Sequence, residues 1–240
     1  MYQENRSLPA VMTRPERLRY ARESVDRSLF IREAITDPMQ VFRAEIGFAA
    51  GVKITPETWS TISETQLVLE MVHLARVEDG DTVFELGTGT GYSSAILSEM
   101  VGPTGRVVTV ERDEELAQKA SERLFRFGYK NVDVVAGDGT RGFVGAAPYD
   151  AVILTAALAG VPSDLRDQLK EGGRFVAPMI VNENSQEQRL RAGIRVGERI
   201  GIHREIPDIA FVQVISERGY GWTSQQLRVA IEEMTRGATS

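Results

Sequence analysis

Three acids and a set of glycines recur in an order that could hold a charged small molecule. Glu85 precedes Gly87, Gly89 and Gly91; Glu111 ends the run Arg106 to Glu111; Asp138, followed by Gly139, ends the run from Val132. Glycines two apart let the backbone reverse tightly and approach a ligand, because no side chain shields the amides. Glu111 lies about 20 residues beyond that turn, where a nucleotide-binding β-α-β unit holds the two hydroxyls of a ribose. Asp138 is placed to accept a hydrogen bond from an adenine amino group. Each feature alone has a plainer reading, an ordinary strand-to-helix turn or a solvated loop carboxylate. Their succession on three strand tips carries the signal.

The same residues discriminate between nucleotides. A dinucleotide fingerprint spaces its glycines as Gly-x-Gly-x-x-Gly and receives a pyrophosphate at a helix N-terminus. Here the third glycine, Gly91, arrives one residue early and the Glu85 carboxylate precedes the first. An anion is poorly served beside that carboxylate, whereas a cationic adenosyl ligand suits it. S-adenosyl-L-methionine, with a sulfonium and an ammonium, is the expected cofactor. In-line transfer of its methyl group asks a protein mainly to position the nucleophile and exclude water. A carboxylate acceptor is already ionised at neutral pH, with an unperturbed pKa near ~4, so no general base is required. That fits the scarcity of bases: His73 and His203 are the only histidines, and both read as structural.

These residues sit in phrases that resemble, in order and spacing, the motifs of class I S-adenosyl-L-methionine-dependent methyltransferases. The phrases are Val83-Phe84-Glu85-Leu86-Gly87-Thr88-Gly89-Thr90-Gly91-Tyr92, Val110-Glu111-Arg112, Gly137-Asp138-Gly139, Tyr149 to Ala157 and Leu169 to Pro178. Within that superfamily the chain is most similar to protein-L-isoaspartate (D-aspartate) O-methyltransferases, because Thr61-Ile62-Ser63 precedes the first motif and Thr155-Ala156-Ala157 closes the fourth strand. The resemblance covers roughly residues 60 to 222 by motif order. It implies cofactor contacts from Glu85, Gly87, Thr88, Gly89, Gly91, Glu111, Arg112, Asp138, Gly139 and Thr155. It also implies that Ser63, with Thr61, orients the acceptor carboxylate of a peptide or protein beside the methyl donor. Ser63 has a second reading from its own neighbourhood: Ser63 and Gln66 fit a Ser-x-x-Gln capping box.

The likeness is strong for the cofactor half and weaker for the acceptor half. Relatives usually follow the triplet with a small residue, proline and histidine or tyrosine, and precede it with glycine-glutamine. This chain has Glu64-Thr65-Gln66 after it and Trp59-Ser60 before it. A specialised O-methyltransferase acting on a biosynthetic precursor peptide or a small-molecule acid is therefore the alternative. An aminopropyl transferase and a non-catalytic nucleoside-binding module stand further back.

The elements that must carry these residues are legible as an alternation. β-branched runs end at Glu85, Glu111 and Asp138, with helices between them. Asp113 reads as the N-cap of a helix reaching about Phe127, where Gly128 ends it in a left-handed turn. A helix from Pro162 is expected to run to Gly172-Gly173, followed by a strand from Arg174 to Met179. Segments 188–198 and 209–216 read as a closing antiparallel hairpin. The expected fold is α/β, a Rossmann-like doubly wound seven-stranded methyltransferase sheet, mostly parallel, with the ligand at the carboxyl ends of the strands. Upstream, Pro15 to Ala34 reads as one amphipathic helix and 36–60 as irregular, with turns marked by Pro38, Gly47, Gly51 and Pro56. A helix follows over about Glu64 to Arg76. The expected division is an N-terminal helical extension over 1–60 and a methyltransferase domain over 61–240.

Composition narrows the remaining classes. A formal charge of -6 and the lack of a long basic run argue against a broad grip on nucleic acid. Cysteine is absent, which removes disulfides, thiolate metal sites and cysteine nucleophiles, and no metal is expected. Apolar stretches break well before the ~20 residues of a membrane span, so no membrane partner is expected and a cytoplasmic location is. The final Gly-Ala-Thr-Ser reads as frayed. Oligomeric state has no signature in the sequence.

Overall fold

In the computed structural model, the described residues are 12–32, 34, 41, 50–53, 59–182 and 185–214. Seven strands form one sheet: β3 (Thr82–Leu86), β4 (Arg106–Glu111), β5 (Val132–Ala136), β6 (Tyr149–Leu154), β7 (Leu169–Asn182), β8 (Glu187–Val196) and β9 (Arg199–Ile206), in the order β5-β4-β3-β6-β7-β8-β9. Pairings from β5 to β7 are parallel, and those of β8 with β7 and β9 are antiparallel. The expected mostly parallel sheet with a closing antiparallel hairpin is what forms.

Buried parallel strands carry apolar residues on both faces, and strand alternation sorts them into two cores. Val83, Val107, Ala151, Ile153 and Val176 face one core; Phe84, Val108, Val152, Leu154 and Phe175 face the other. The first core is covered by α1 (Arg14–Ser24), α2 (Arg27–Arg32), α3 (Thr65–Leu74), α4 (Tyr92–Val101) and α5 (Glu114–Arg126), which contribute Ala21, Phe30, Val68, Ile96 and Leu124. The second is covered by α6 (Ser163–Gln168) through Leu165. Helices thus lie on both faces, as expected. Asp113 caps α5, accepting the Leu116 N–H at 2.8 Å, and Gly128 follows with φ +90°.

The structure departs from the sequence reading at five places. The N-terminal amphipathic stretch is two helices, because the C-cap Val25 is extended (φ -91°, ψ 100°). Its start is as expected: Pro15 lies in the first turn and the Glu16 carboxylate takes the Thr13 N–H and hydroxyl at 2.8 and 2.6 Å. The segment read as irregular contains β1 (Ala50–Lys53) and β2 (Trp59–Ile62), an antiparallel pair in which Thr61 is opposite Gly51; Pro38, Gly47 and Pro56 lie outside the described residues. The capping box at Ser63 does not form: the N-cap of α3 is Glu64, without a side-chain cap bond. Helix α6 stops at Gln168, because the buried Leu169 already pairs with Tyr149, and the glycine pair lies inside β7 at a register shift. The partner of β8 is 199–206, not 209–216, since Gly197-Glu198 makes a two-residue turn with Gly197 at φ +58°. Residues 212–214 instead flank Ala157 through 2.7 and 2.8 Å backbone bonds; 215, 216 and the C-terminal Gly-Ala-Thr-Ser lie outside the described residues.

Candidate active site

Strand β3 has a parallel neighbour on each side, β4 and β6, so its carboxyl end is the switch point of the sheet where ligands of open α/β folds bind. The chain leaves it through Gly87, Gly89 and Gly91 at φ +94°, +55° and +87°. Gly87 donates to Val110 O at 2.9 Å, while the Thr155 hydroxyl from the end of β6 reaches the Leu86 and Gly87 carbonyls at 2.9 and 2.7 Å. A Cβ on Gly87 would collide with Thr155 Oγ1. Glycine is therefore required here on two counts, backbone and space. From beneath, the buried Arg123 of α5 donates to Thr90 O at 2.7 Å.

Glu85 lies under the turn and is fully buried. It shares a face of β3 with Val83, and its register partner on β4 is Thr109. The Thr109 hydroxyl donates to Glu85 Oε2 at 2.7 Å, and the Ser94 hydroxyl of α4 donates to the same oxygen. Thr88, also buried, stands 2.8 Å from Thr109 Oγ1. With Thr109 donating to the carboxylate, the shared proton belongs to Thr88. Glu85 Oε1 has no hydrogen-bond partner among the described residues. Burial pushes the Glu85 carboxyl above its ordinary range, opposed by the Ser93, Ser94 and Thr109 hydroxyls and reinforced by Glu111.

Glu111 reaches back from the tip of β4 to the turn. Its Oε2 accepts the Gly89 N–H at 2.9 Å and its Oε1 the Asp113 N–H at 3.2 Å. Burial raises its pKa too, against the pull of the Gly89, Asp113 and Arg112 amides. Asp138 follows β5 and caps the single turn Gly139–Arg141, accepting the Thr140 N–H at 3.0 Å and hydroxyl at 2.7 Å. Gly139 is packed so closely that a Cβ would stand 2.6 Å from Leu86 Cγ. Arg112 is exposed. The sheet thus brings Glu85, Glu111 and Asp138 to three adjacent strand ends, with Glu111 hydrogen-bonded to the glycine turn after β3 and Asp138 to the turn that it opens.

The acceptor-side triplet arrives from the other direction. Thr61 is in β2, and Ser63 is half-buried between β2 and α3. Arg27 Nη2 donates to the Ser63 carbonyl at 2.9 Å, and the Tyr92 hydroxyl donates to Thr65 Oγ1 at 3.0 Å. Because Tyr92 directly follows Gly91, this bond ties the start of α3 to the end of the glycine turn. His73 and His203 are exposed, on α3 and β9. Sequence reasoning missed Arg27, Tyr92, Ser94, Thr109 and Arg123. Thr109 had a signal, a lone polar residue within a β-branched run; Arg27 and Arg123 had none, being remote in sequence from what they hold.

The donor set fits a cation rather than an anion. Two neighbouring carboxylates, the buried Glu85 and the half-buried Glu111, have no ion pair among the described residues, and one Glu85 oxygen is unsatisfied. Such a pair is stabilised by a positively charged ligand above it. Among the described residues no cluster of three metal-ligating side chains occurs, and no helix is long and apolar enough to cross a membrane.

Comparison with known proteins agrees with this geometry. The family model described as Protein-L-isoaspartate(D-aspartate) O-methyltransferase matches residues 9–219. A protein-L-isoaspartate O-methyltransferase of Ignicoccus hospitalis is 47% identical over 157 residues, covering 65% of this chain and 73% of its own length. One from Rhodopseudomonas palustris is 37% identical over 213 residues, 89% and 91% of the two chains. Among solved structures, a protein-L-isoaspartate O-methyltransferase superposes with TM-score 0.73 at 25% identity over 86% of this chain and 67% of that one. A Plasmodium falciparum protein solved with S-adenosyl-L-homocysteine shares the fold, with TM-score 0.67 at 18% identity over 83% and 90% of the two chains.

Proposed function

Because this chain belongs to the protein-L-isoaspartate (D-aspartate) O-methyltransferase family, an S-adenosyl-L-methionine-dependent group, we propose that it esterifies isoaspartyl carboxylates of peptides and proteins at the end of β3. The observation that carries the reading is the buried Glu85 carboxylate, one oxygen of which has no partner among the described residues, beside Glu111 and next to a turn whose three glycines take positive φ.

Bound there, S-adenosyl-L-methionine supplies a methyl group made electrophilic by its sulfonium charge. On this reading Glu111 takes the ribose hydroxyls, Asp138 and Gly139 the adenine edge, and the turn from Gly87 to Gly91 lies against the amino-acid portion. Thr88 and Thr155 shape the turn from below, and Arg112 borders it. Glu85 acts through its field, since its side chain is wholly enclosed. Ser63, with Thr61, holds and orients the acceptor carboxylate. That carboxylate is ionised at neutral pH, so no protein base has to remove a proton. The exposed positions of His73 and His203 accord with this. A cytoplasmic location, expected from the short apolar stretches of the sequence, belongs to the same proposal.

One observation favours a narrower acceptor. Glu64 and Gln66 are exposed at the start of α3, where relatives usually place a small residue and an aromatic or imidazole ring. An acid next to Ser63 repels a bare carboxylate and favours an acceptor that brings positive charge with it. On this reading the natural acceptor is a dedicated precursor peptide, or a small-molecule acid, that also carries a cationic group. Incubation with methyl-labelled donor and an isoaspartyl peptide, its aspartyl counterpart or a cell extract, followed by alkaline release of methanol, tests both. Base-labile label on the isoaspartyl peptide supports the first reading; label confined to another acceptor supports the second.

A further inference from the structure

Two residues of α2, Arg27 and Phe30, lie three apart and so on one face of the helix. Both grip Tyr92. The Arg27 guanidinium lies over the ring with its carbon 5.6 Å from the centroid, and Phe30 meets the ring edge-on at 5.8 Å. Phe30 is buried and also packs against Phe127 and Tyr129, so its role is explained by the core. Arg27 does something else. Its Nη2 donates to the carbonyl of Ser63, while the Tyr92 hydroxyl donates to Thr65 two residues further on. Arg27, Ser63, Thr65 and Tyr92 therefore close a circuit that joins the N-terminal extension, the acceptor-side triplet and the end of the glycine turn.

We propose that Arg27 is a positioning residue for methyl transfer: by holding the Ser63 carbonyl and the Tyr92 ring together, it sets where the Ser63 hydroxyl stands relative to the glycine turn. This rests on the role given to Ser63 above. A guanidinium suits the task in a way an ammonium does not, because its delocalised charge can lie over a ring while one of its several N–H groups donates to a carbonyl elsewhere. Burial pulls the Arg27 pKa down, and the Tyr92 hydroxyl and the exposed Glu64 carboxylate pull it back up. The expected consequence of loosening the circuit is a misplaced acceptor, to which in-line transfer is sensitive.

Arg27→Lys keeps the charge and removes the fork; Arg27→Met removes both. Tyr149→Phe is the control, deleting a 2.5 Å hydrogen bond to Phe143 O in the other core. The readouts are kcat and KM for an isoaspartyl peptide, Kd for S-adenosyl-L-homocysteine, thermal midpoint, and amide exchange across residues 63–67. For Arg27→Lys the expected result is a kcat lower by about tenfold with Kd changed by less than about threefold, and faster exchange across 63–67. Arg27→Met should lose more, and Tyr149→Phe should lower the midpoint without changing kcat or that exchange. An Arg27→Lys enzyme with wild-type kcat and wild-type exchange overturns the inference, as does a Tyr149→Phe enzyme that loses kcat in the same proportion. If the wild type methylates no isoaspartyl peptide, the functional reading fails; exchange across 63–67 then decides Arg27 by itself, and no change there rejects it.

Discussion

Glu85 and Thr109 stand opposite each other in register on β3 and β4, and the threonine hydroxyl satisfies one carboxylate oxygen at 2.7 Å while the other has no partner among the described residues. The pair leaves a buried carboxyl group with one unsatisfied oxygen next to the glycine turn, where a cationic ligand would favour its ionised form. Glu85→Gln keeps the shape and an acceptor for the Thr109 and Ser94 hydroxyls but discharges the site. The expected outcome is a thermal midpoint at neutral pH no lower than wild type, with affinity for S-adenosyl-L-methionine weakened by about tenfold, or about 1.4 kcal/mol. Adenosine, which lacks the cation, should lose much less. Calorimetric titration of both ligands checks this, and equal losses would show that Glu85 does not act through charge.

The raised pKa values of Glu85 and Glu111, both caused first by burial, make cofactor binding pH-dependent. A carboxyl whose folded pKa lies above the ordinary 4.5 holds its proton longer in the folded state than in the unfolded chain. The free protein should therefore lose stability as pH rises from the unfolded value through the folded one. A cationic ligand favours the ionised carboxylates, so its binding should release protons in that window and tighten as pH rises. Titrations in two buffers of different ionisation enthalpy measure the proton count; net uptake on binding would contradict the assignment.

Gly87 and Thr155 are coupled by space. Alanine at position 87 must hold φ near +94° and also collide with the Thr155 hydroxyl. Gly87→Ala is expected to destabilise by about 1–3 kcal/mol. Adding Thr155→Ala relieves the collision and leaves the backbone strain, so the double variant should be more stable than the sum of the single effects predicts. Denaturant unfolding of the four proteins gives the coupling directly; strict additivity would mean that the turn shifts away from Thr155.

The parallel half of this fold was legible because its signals are local: β-branched runs, glycine turns, an acid at each strand tip and Asp113 before its helix. What was misread depends on long-range pairing. Leu169 joins β7 next to Tyr149, which ends α6 before the glycine pair that looks like its stop signal. Strand β9 lies at the sheet edge with Arg199, His203, Arg204 and Glu205 exposed, and a register shift beside His203 interrupts the alternation of Ile200, Ile202 and Ile206, although Gly197-Glu198 marks its turn. The three acids of the site were readable as strand tips, but not that Glu85 would be enclosed. That follows from Thr109 and Ser94, which no spacing rule connects to it. The Arg27 circuit joins residues 36 positions apart and has no sequence signature at all.

Ser63 is the residue for which structure narrows the choice most. Its sequence fits a capping box with Gln66, but Glu64 is the N-cap and the Ser63 carbonyl is held by Arg27, so the hydroxyl owes nothing to helix stability. A lost cap would cost about 1 kcal/mol; Ser63→Ala should instead stay within about 0.5 kcal/mol of wild type. Affinity for S-adenosyl-L-homocysteine should be unchanged, while kcat with the methylated acceptor falls by at least about tenfold, as expected for a group that orients one reactant. Ser63→Thr retains a hydroxyl and should recover part of that rate. Parallel unfolding, binding and rate measurements on the two variants separate the possibilities: a stable Ser63→Ala enzyme with full kcat removes Ser63 from the site and leaves orientation of the acceptor to the backbone that Arg27 and Tyr92 hold.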